Sequence, residues 1–216
     1  MFSGIVSMLG TVEATAAPGM ERLVISHEGG WSELRPGDSV AVNGCCLTAI
    51  DASDISVSVE VIPETLRRTT LGSLAKGQRV NLEAALQLQS AVGGHLVSGH
   101  IDSTGEVLDI RSESNAVWLR IAVPSDVGRY CVPQGSVAVD GCSLTLVSVQ
   151  DLADGSAVIE VSLIPHTMAV TIAGGYRRGS LVNLEADQVA KLVERLVAPH
   201  RRTAPFGCPV APWAGG

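Results

Sequence analysis

The sequence predicts an all-β protein of two homologous halves followed by a C-terminal α-helix. An internal repeat, evenly spaced β-type runs and one late amphipathic stripe support that prediction. Val42-Asn-Gly-Cys-Cys-Leu-Thr48 returns, altered, as Val139-Asp-Gly-Cys-Ser-Leu-Thr145. Self-similarity of this kind marks duplication of a folding unit. The flanks repeat as well. Pro36-Gly-Asp-Ser-Val-Ala41 is answered by Pro133-Gln-Gly-Ser-Val-Ala138, Val59-Glu-Val-Ile-Pro-Glu-Thr65 by Val161-Ser-Leu-Ile-Pro-His-Thr167, and Val80-Asn-Leu-Glu83 by Val182-Asn-Leu-Glu185. Even Ser3-Gly-Ile-Val6 has its partner in Ser98-Gly-His-Ile101. The repeat therefore divides the 216 residues into a first unit, 1–96, and a second, 97–186, each long enough to bury a core.

In the first half, Gly10-Thr-Val-Glu13, Arg22-Leu-Val-Ile-Ser26, Ser39-Val-Ala-Val42, Leu47-Thr-Ala-Ile50 and Ile55–Ile62 are punctuated by Gly, Pro, Asp and Asn. Short strands at such spacing make a sandwich or a small barrel. Ser56-Val-Ser-Val-Glu-Val61 alternates polar and apolar residues, as a strand buried on one face requires. Pro63-Glu-Thr-Leu-Arg-Arg-Thr-Thr-Leu-Gly72 breaks the pattern. Proline at a first helical position, glutamate in the first turn and a closing glycine predict a short helix. Lys76–Glu83 then returns to strand and closes the unit, and Pro165–Gly174 repeats the helix in the second half.

Between the halves, Gly93–Gly105 holds four glycines and two histidines, which permits either a hinge or close approach of backbone to a ligand. His95 and His100, five apart, fall on opposite sides of an extended chain, so each is expected to have its own partner. After Asp187, Val189, Leu192, Val193 and Leu196 recur at helical spacing, with Lys191, Glu194 and Arg195 off the stripe. A helix over 187–198 is expected, packing on its own barrels or on partner subunits. Residues 199–216, rich in proline and glycine, are expected to form a disordered tail.

Composition narrows the function. A net charge of −7 argues against nucleic acid, whose phosphates require a cationic face. At 3% aromatic residues the chain lacks a stacking platform. No run approaches the ~20 apolar residues of a membrane helix, and the start lacks the basic region of a secretory signal, so a cytoplasmic protein is expected. Cys45, Cys46, Cys131, Cys142 and Cys208 are odd in number and lack C-x-x-C spacing, which supports neither a disulfide framework nor a zinc site.

The two copies differ where the chemistry lies. Asn43 becomes Asp140, Cys46 becomes Ser143, Glu64 becomes His166 and Ile5 becomes His100, while the glycines and aliphatics stay. Two related pockets with different tasks follow. A thiol, a hydroxyl, histidines, an aspartate and threonines can hydrogen-bond a polar heterocycle and move protons.

These residues carry a resemblance. Met1-Phe-Ser-Gly-Ile-Val6, Asn43-Gly-Cys-Cys-Leu-Thr48, Glu64–Gly72, Gly93-Gly-His-Leu-Val-Ser-Gly-His100, Asp140-Gly-Cys-Ser-Leu-Thr145 and Asn183-Leu-Glu-Ala-Asp187 together resemble the alpha-chain type of riboflavin synthase, over residues 1 to about 198. The resemblance implies two tandem six-stranded Greek-key β-barrels and a C-terminal helix that assembles a homotrimer. It also implies one 6,7-dimethyl-8-ribityllumazine per barrel, with no cofactor and no metal. Two lumazines would exchange a four-carbon unit, giving riboflavin and 5-amino-6-ribitylaminouracil, where the first barrel of one subunit meets the second barrel of its neighbour. Lumazine synthase is an implied companion. The alternative is a non-catalytic lumazine- or flavin-binding protein of the same fold.

By this resemblance Phe2, Gly4, Ile5 and Val6 line the first pocket with Cys46, Leu47, Thr48, Glu60, Val61, Ile62, Pro63, Glu64 and Thr65. His95, Gly99, His100 and Ile101 belong to the glycine-rich approach. Ser143, Leu144, Thr145, Ser162, Leu163, Ile164, Pro165, His166 and Thr167 line the second, with Gln134 nearby at a position where the family commonly carries lysine. His100 is the candidate base for the acidic C7 methyl group of one lumazine, helped by Thr145. Cys46 or Ser143 would supply or orient the nucleophile at C7 of the other, and Asp187 a hydroxyl or water. Structural readings stand beside these: a small core thiol for Cys46, a helix cap for Asp187 and a satisfied turn histidine for His100.

Overall fold

The computed structural model describes residues 1–15 and 22–197. The expected tail, 199–216, and the last residue of the expected helix lie outside them. The described chain forms two closed six-stranded antiparallel barrels. The first comprises β1 (Met8–Thr15), β2 (Arg22–His27), β3 (Ser39–Val42), β4 (Cys45–Ser53), β5 (Ser56–Glu60) and β6 (Arg79–Ala84), paired around the barrel as β1-β2-β5-β4-β3-β6. The second comprises β7 (Ser103–Glu113), β8 (Ala116–Val123), β9 (Ser136–Val139), β10 (Cys142–Asp151), β11 (Ala157–Leu163) and β12 (Leu181–Ala186), in the equivalent order.

Alternation builds each interior. Val57 and Val59 of β5 are buried, as are Val158's neighbours Ala157 and Ile159 in β11. Ser58 departs from the expected outward serine: it is buried, and the Arg22 guanidinium donates to its Oγ at 2.9 Å. Register shifts recur at equivalent places, Val12/Ala14 and Val107/Asp109, then Ala49/Asp51 and Leu146/Ser148. Such bulges bend strands so that a small sheet closes on itself.

The expected short helices are α1 (Pro63–Arg68) and α3 (Pro165–Val170), separated in the chain by a four-residue α2 (Ser125–Gly128) that the sequence reading did not include. Each ends sooner than expected. Thr69 and Thr171 accept from the N–H groups of Leu71 and Ala173, which starts a separate 3-10 turn over Thr70–Ser73 and Ile172–Gly175. α4 (Gln188–Val197) follows β12 directly.

The barrels meet about an approximate two-fold axis. The β3–β4 and β9–β10 hairpins turn through Asn43-Gly44 and Asp140-Gly141, all four at positive φ. Two consecutive positive-φ residues make the tight turn whose twist matches the strands. The tips touch backbone to backbone: a Cβ on Gly44 would lie 2.5 Å from Gly141 N, and one on Gly141 2.7 Å from Gly44 N. Around them the asparagines cross over. Asn81 Nδ2 donates to Asp140 O and Asn183 Nδ2 to Asn43 O, both at 2.9 Å, while their Oδ1 atoms accept from the N–H of Ile172 and Thr70. Phe2, Ala41, Val97 and Ala138 fill a small apolar cluster between the barrels, and Phe2 is fully buried. Burying a phenylalanine contributes about 2–3 kcal/mol.

Candidate active site

Each barrel is approached by a short lead-in, Ser3–Val6 before β1 and Ser98–Ile101 before β7. Their glycines, Gly4 and Gly99, sit at φ +74° and +81°, which only glycine adopts at low cost. The lead-ins cross. Gly99, belonging to the second half, accepts through its carbonyl from Cys46 N–H of the first barrel at 2.8 Å. Gly4, belonging to the first, accepts from Ser143 N–H of the second at 2.7 Å. Side chains of one half thereby complete the pocket of the other.

The first pocket, a cavity of about 170 Å³, is lined by Cys45, Cys46, Glu64, Thr65, Arg68, Thr69, Gly99, His100 and Ile101. Cys46 is half-buried at the start of β4, with Phe2 packed behind it. Its neighbour Cys45 faces the core, where burial and the adjacent Cys46 push its thiol up to about 12. The pair thus divides into one core thiol and one pocket thiol. Glu64 opens α1 and is held by Arg67 and Arg68, which keep its carboxyl below the usual range. His100 is exposed on the wall opposite α1.

In the second barrel Ser143 takes the place of Cys46. His95 Nδ1 lies 2.7 Å from Ser143 Oγ, while His95 Nε2 is buried without a partner. Burial holds the His95 imidazole below its ordinary pKa, against the opposing pull of Asp187 and Glu185. A neutral ring can accept the serine proton through Nδ1. Gly94 makes this approach possible, since a Cβ there would lie 2.3 Å from Ser3 O and 2.6 Å from Ser143 Cβ. Ile5, 51% exposed, stands where the first pocket has His100.

The geometry regroups several expected residues. Gly4 lies against Ser143 of the second barrel rather than Cys46 of the first, and Ile5 packs beside Gly93. Thr145 lies two residues from Ser143 on β10, and both flank the inward-facing Leu144. Leu47, Leu144, Val61 and Leu163 point into the barrel cores by strand alternation, so they shape the walls from behind. Ile62 and Ile164 are exposed beside Pro63 and Pro165, at the N-termini of α1 and α3. Thr48 and Glu60 pair across β4 and β5 on the outer face. Gln134 is exposed at φ +67°, in the turn where the first half has Gly37. Asp187 caps α4, its Oδ1 accepting from Val189 N–H at 2.9 Å, and its charge also acts on His95.

Sequence reasoning missed Glu83 and Glu185, which bind the two lead-ins. Their signal was present, since Asn-Leu-Glu stands unaltered in both halves. Among the described residues no cluster of histidine, cysteine and carboxylate can hold a metal ion. A larger cleft of about 660 Å³ opens between the barrels beside Asn43, Thr70, Asp140 and Tyr176. The carboxylate of Asp140 there is already satisfied by Asn183 N–H and Tyr176 O–H.

A family model described as the lumazine binding domain matches the chain twice, over residues 3–85 and 98–187. The chain belongs to the lumazine-binding domain family. It is 44% identical over 199 residues to the riboflavin synthase of Mycobacterium tuberculosis (strain ATCC 25618 / H37Rv), covering 91% of this chain and 98% of that one. It is 40% identical over 204 residues to the riboflavin synthase of Bacillus amyloliquefaciens, with 94% and 93% covered. Among solved structures, LumP complexed with 6,7-dimethyl-8-(1'-D-ribityl) lumazine superposes with a TM-score of 0.75 at 26% identity, over 86% of this chain and 99% of that one. The two lumazine-binding matches begin at the crossing lead-ins, at Ser3 and Ser98.

Proposed function

We propose that the chain is a riboflavin synthase, which converts two molecules of 6,7-dimethyl-8-ribityllumazine into riboflavin and 5-amino-6-ribitylaminouracil. The observation that carries this reading is one fold with two equivalent crossings, Gly99 on Cys46 at the first barrel and Gly4 on Ser143 at the second, whose polar side chains differ. A dismutation of two identical molecules needs that arrangement, because one must give a four-carbon unit and the other accept it. The atoms balance between substrates and products, so no cofactor is required.

The chemistry asks little of the protein beyond position. The C7 methyl of a lumazine is acidic because its carbanion delocalises into the electron-poor ring, and His100 at the pocket wall is the base we assign. The second lumazine is held ready for attack, with Ser143, backed by His95, as the group that adds to C7 or orients the adding hydroxyl. Holding two bulky rings in register contributes up to about 7–11 kcal/mol in ideal cases. The two rings would face one another across subunits. An assembly through α4 is supported by its outward stripe: Val189, Leu192, Val193 and Leu196 are exposed, while Lys191 and Glu194 tie the helix to Asp102, Arg129 and Tyr130 of the second barrel. A homotrimer is the assembly we assign, as a transferase of the cytoplasm. Among the described residues no helix is long and apolar enough to cross a membrane.

Mixing the purified chain with ribityllumazine tests the proposal. Loss of the lumazine absorbance with growth of flavin absorbance is expected. Stable bound lumazine fluorescence with no flavin formed rejects catalysis and favours a carrier, the role suggested by LumP holding the same ligand.

A further inference from the structure

Two buried carboxylates have no part in the chemistry above, and both sit where the barrels exchange segments. Glu83 of β6 is 6% exposed and Glu185 of β12 is 1% exposed. Glu83 Oε1 accepts from Ser3 N–H and Ser3 O–H, both at 2.7 Å, and Oε2 from Gly4 N–H at 3.1 Å. Glu185 Oε1 accepts from Ser98 N–H and O–H, both at 2.7 Å, and Oε2 from Gly99 N–H at 2.9 Å. Each serine hydroxyl then accepts in turn from the residue two places on, Ile5 N–H at 3.2 Å and His100 N–H at 3.3 Å. A relay therefore runs from carboxylate through serine to the backbone of the residue that enters the opposite pocket.

Burying a carboxylate is costly, and it is tolerated where several hydrogen bonds fix it. These bonds fix a crossing turn to sub-ångström tolerance. Gly99 leaves no room for even a methyl group beside Cys46, with a Cβ 2.5 Å from Cys46 Cβ, and Gly4 stands equally close to Ser143 at 2.6 Å. We propose that Glu185 and Glu83 are crossed positioning residues. Glu185, in the second barrel, sets Gly99 and His100 on the first pocket, and Glu83, in the first barrel, sets Gly4 and Ile5 on the second. This deepens the functional reading and depends on it only for the effect on turnover.

The geometry can be tested without substrate. Isosteric Glu185→Gln and Glu83→Gln turn an amide N–H₂ toward one N–H of each turn, so a bond is lost while shape is kept. The readout is the rate of iodoacetamide alkylation at each pocket, located by fragment-ion mass: Cys46, told from its neighbour Cys45, for the first, and a cysteine placed by Ser143→Cys, told from its neighbour Cys142, for the second. Glu185→Gln is expected to speed alkylation of Cys46 at least fivefold and to leave position 143 within twofold, and Glu83→Gln to do the reverse. Ser98→Ala and Ser3→Ala break the relay with the charge retained. They should give the same crossed pattern, which separates positioning from a simple change in local charge and serves if a Gln variant fails to fold. Rates that change in the variant's own barrel, in both pockets alike or in neither overturn the proposal. With ribityllumazine, Glu185→Gln should lower kcat about tenfold at a temperature where its melting curve shows the variant still folded. A wild-type chain that forms no flavin would count against the function and leave the alkylation pattern to decide the anchors.

Discussion

Asp140 and Asn43 occupy equivalent turns, yet one can ionise and the other cannot. Burial pushes the Asp140 carboxyl up to about 7 from an ordinary 3.8, against the lowering effect of its bonds from Tyr176 and Asn183. Between those two values the unfolded side chain is ionised while the folded one keeps its proton, so folding takes up a proton there. The stability this group contributes is complete below about pH 3.8 and is lost as pH rises through about 7, at most about 1.4 kcal/mol per pH unit. Asp140→Asn, which copies the first half, should flatten that part of the profile. Melting temperatures measured from pH 4 to 8 in both proteins check it, and parallel curves would contradict it. At the same scale, His100 is exposed and makes no side-chain bond within the described chain, so His100→Ala should cost little stability. Turnover should fall about 10²-fold if His100 is the base, the ordinary size of a proton-transfer contribution. Initial rates beside a melting curve separate the two effects.

Among the elements, the paired hairpins are the least tolerant. Gly141→Ala meets backbone rather than a yielding side chain, at a φ of +79° that alanine resists. A loss of at least about 2 kcal/mol is expected in a denaturant melt. Gly37→Ala, also at positive φ but with nothing near its Cβ, should cost about 1 kcal/mol. Helix α4 gives the opposite case. Its apolar residues carry no core of their own, Leu196 being 77% exposed, so Leu192→Glu with Leu196→Glu should leave the chain folded and reduce the proposed homotrimer to single chains by light scattering. These elements were readable from the sequence, because period-two strands, proline-led helices and a heptad-like stripe are local patterns. Helix lengths were less so. Thr69 and Thr171 intervene with side-chain caps whose geometry no periodicity announces.

For the molecule as a whole, the two halves could be read from the repeat, but the crossing could not. Aligning Ser3 with Ser98 says that the two segments are equivalent. It does not say which barrel each one rests upon, since that depends on contacts between residues far apart in the chain, Cys46 with Gly99 and Gly4 with Ser143. Two pockets per chain should bind two ribityllumazines, and fluorescence titration should return that stoichiometry with unequal affinities. Equal sites, or one site, would argue against divergent tasks.

The exchange of lead-ins bears on how such a chain can drift under selection. A change in either lead-in is screened twice, once for the barrel it is tied to and again for the cavity it enters. Heritable variation is thereby steered toward side chains outside the shared fastening. The duplicated sequence follows that rule, with Ser3/Ser98, Gly4/Gly99 and Glu83/Glu185 unchanged between copies and Ile5/His100, Cys46/Ser143 and Glu64/His166 altered.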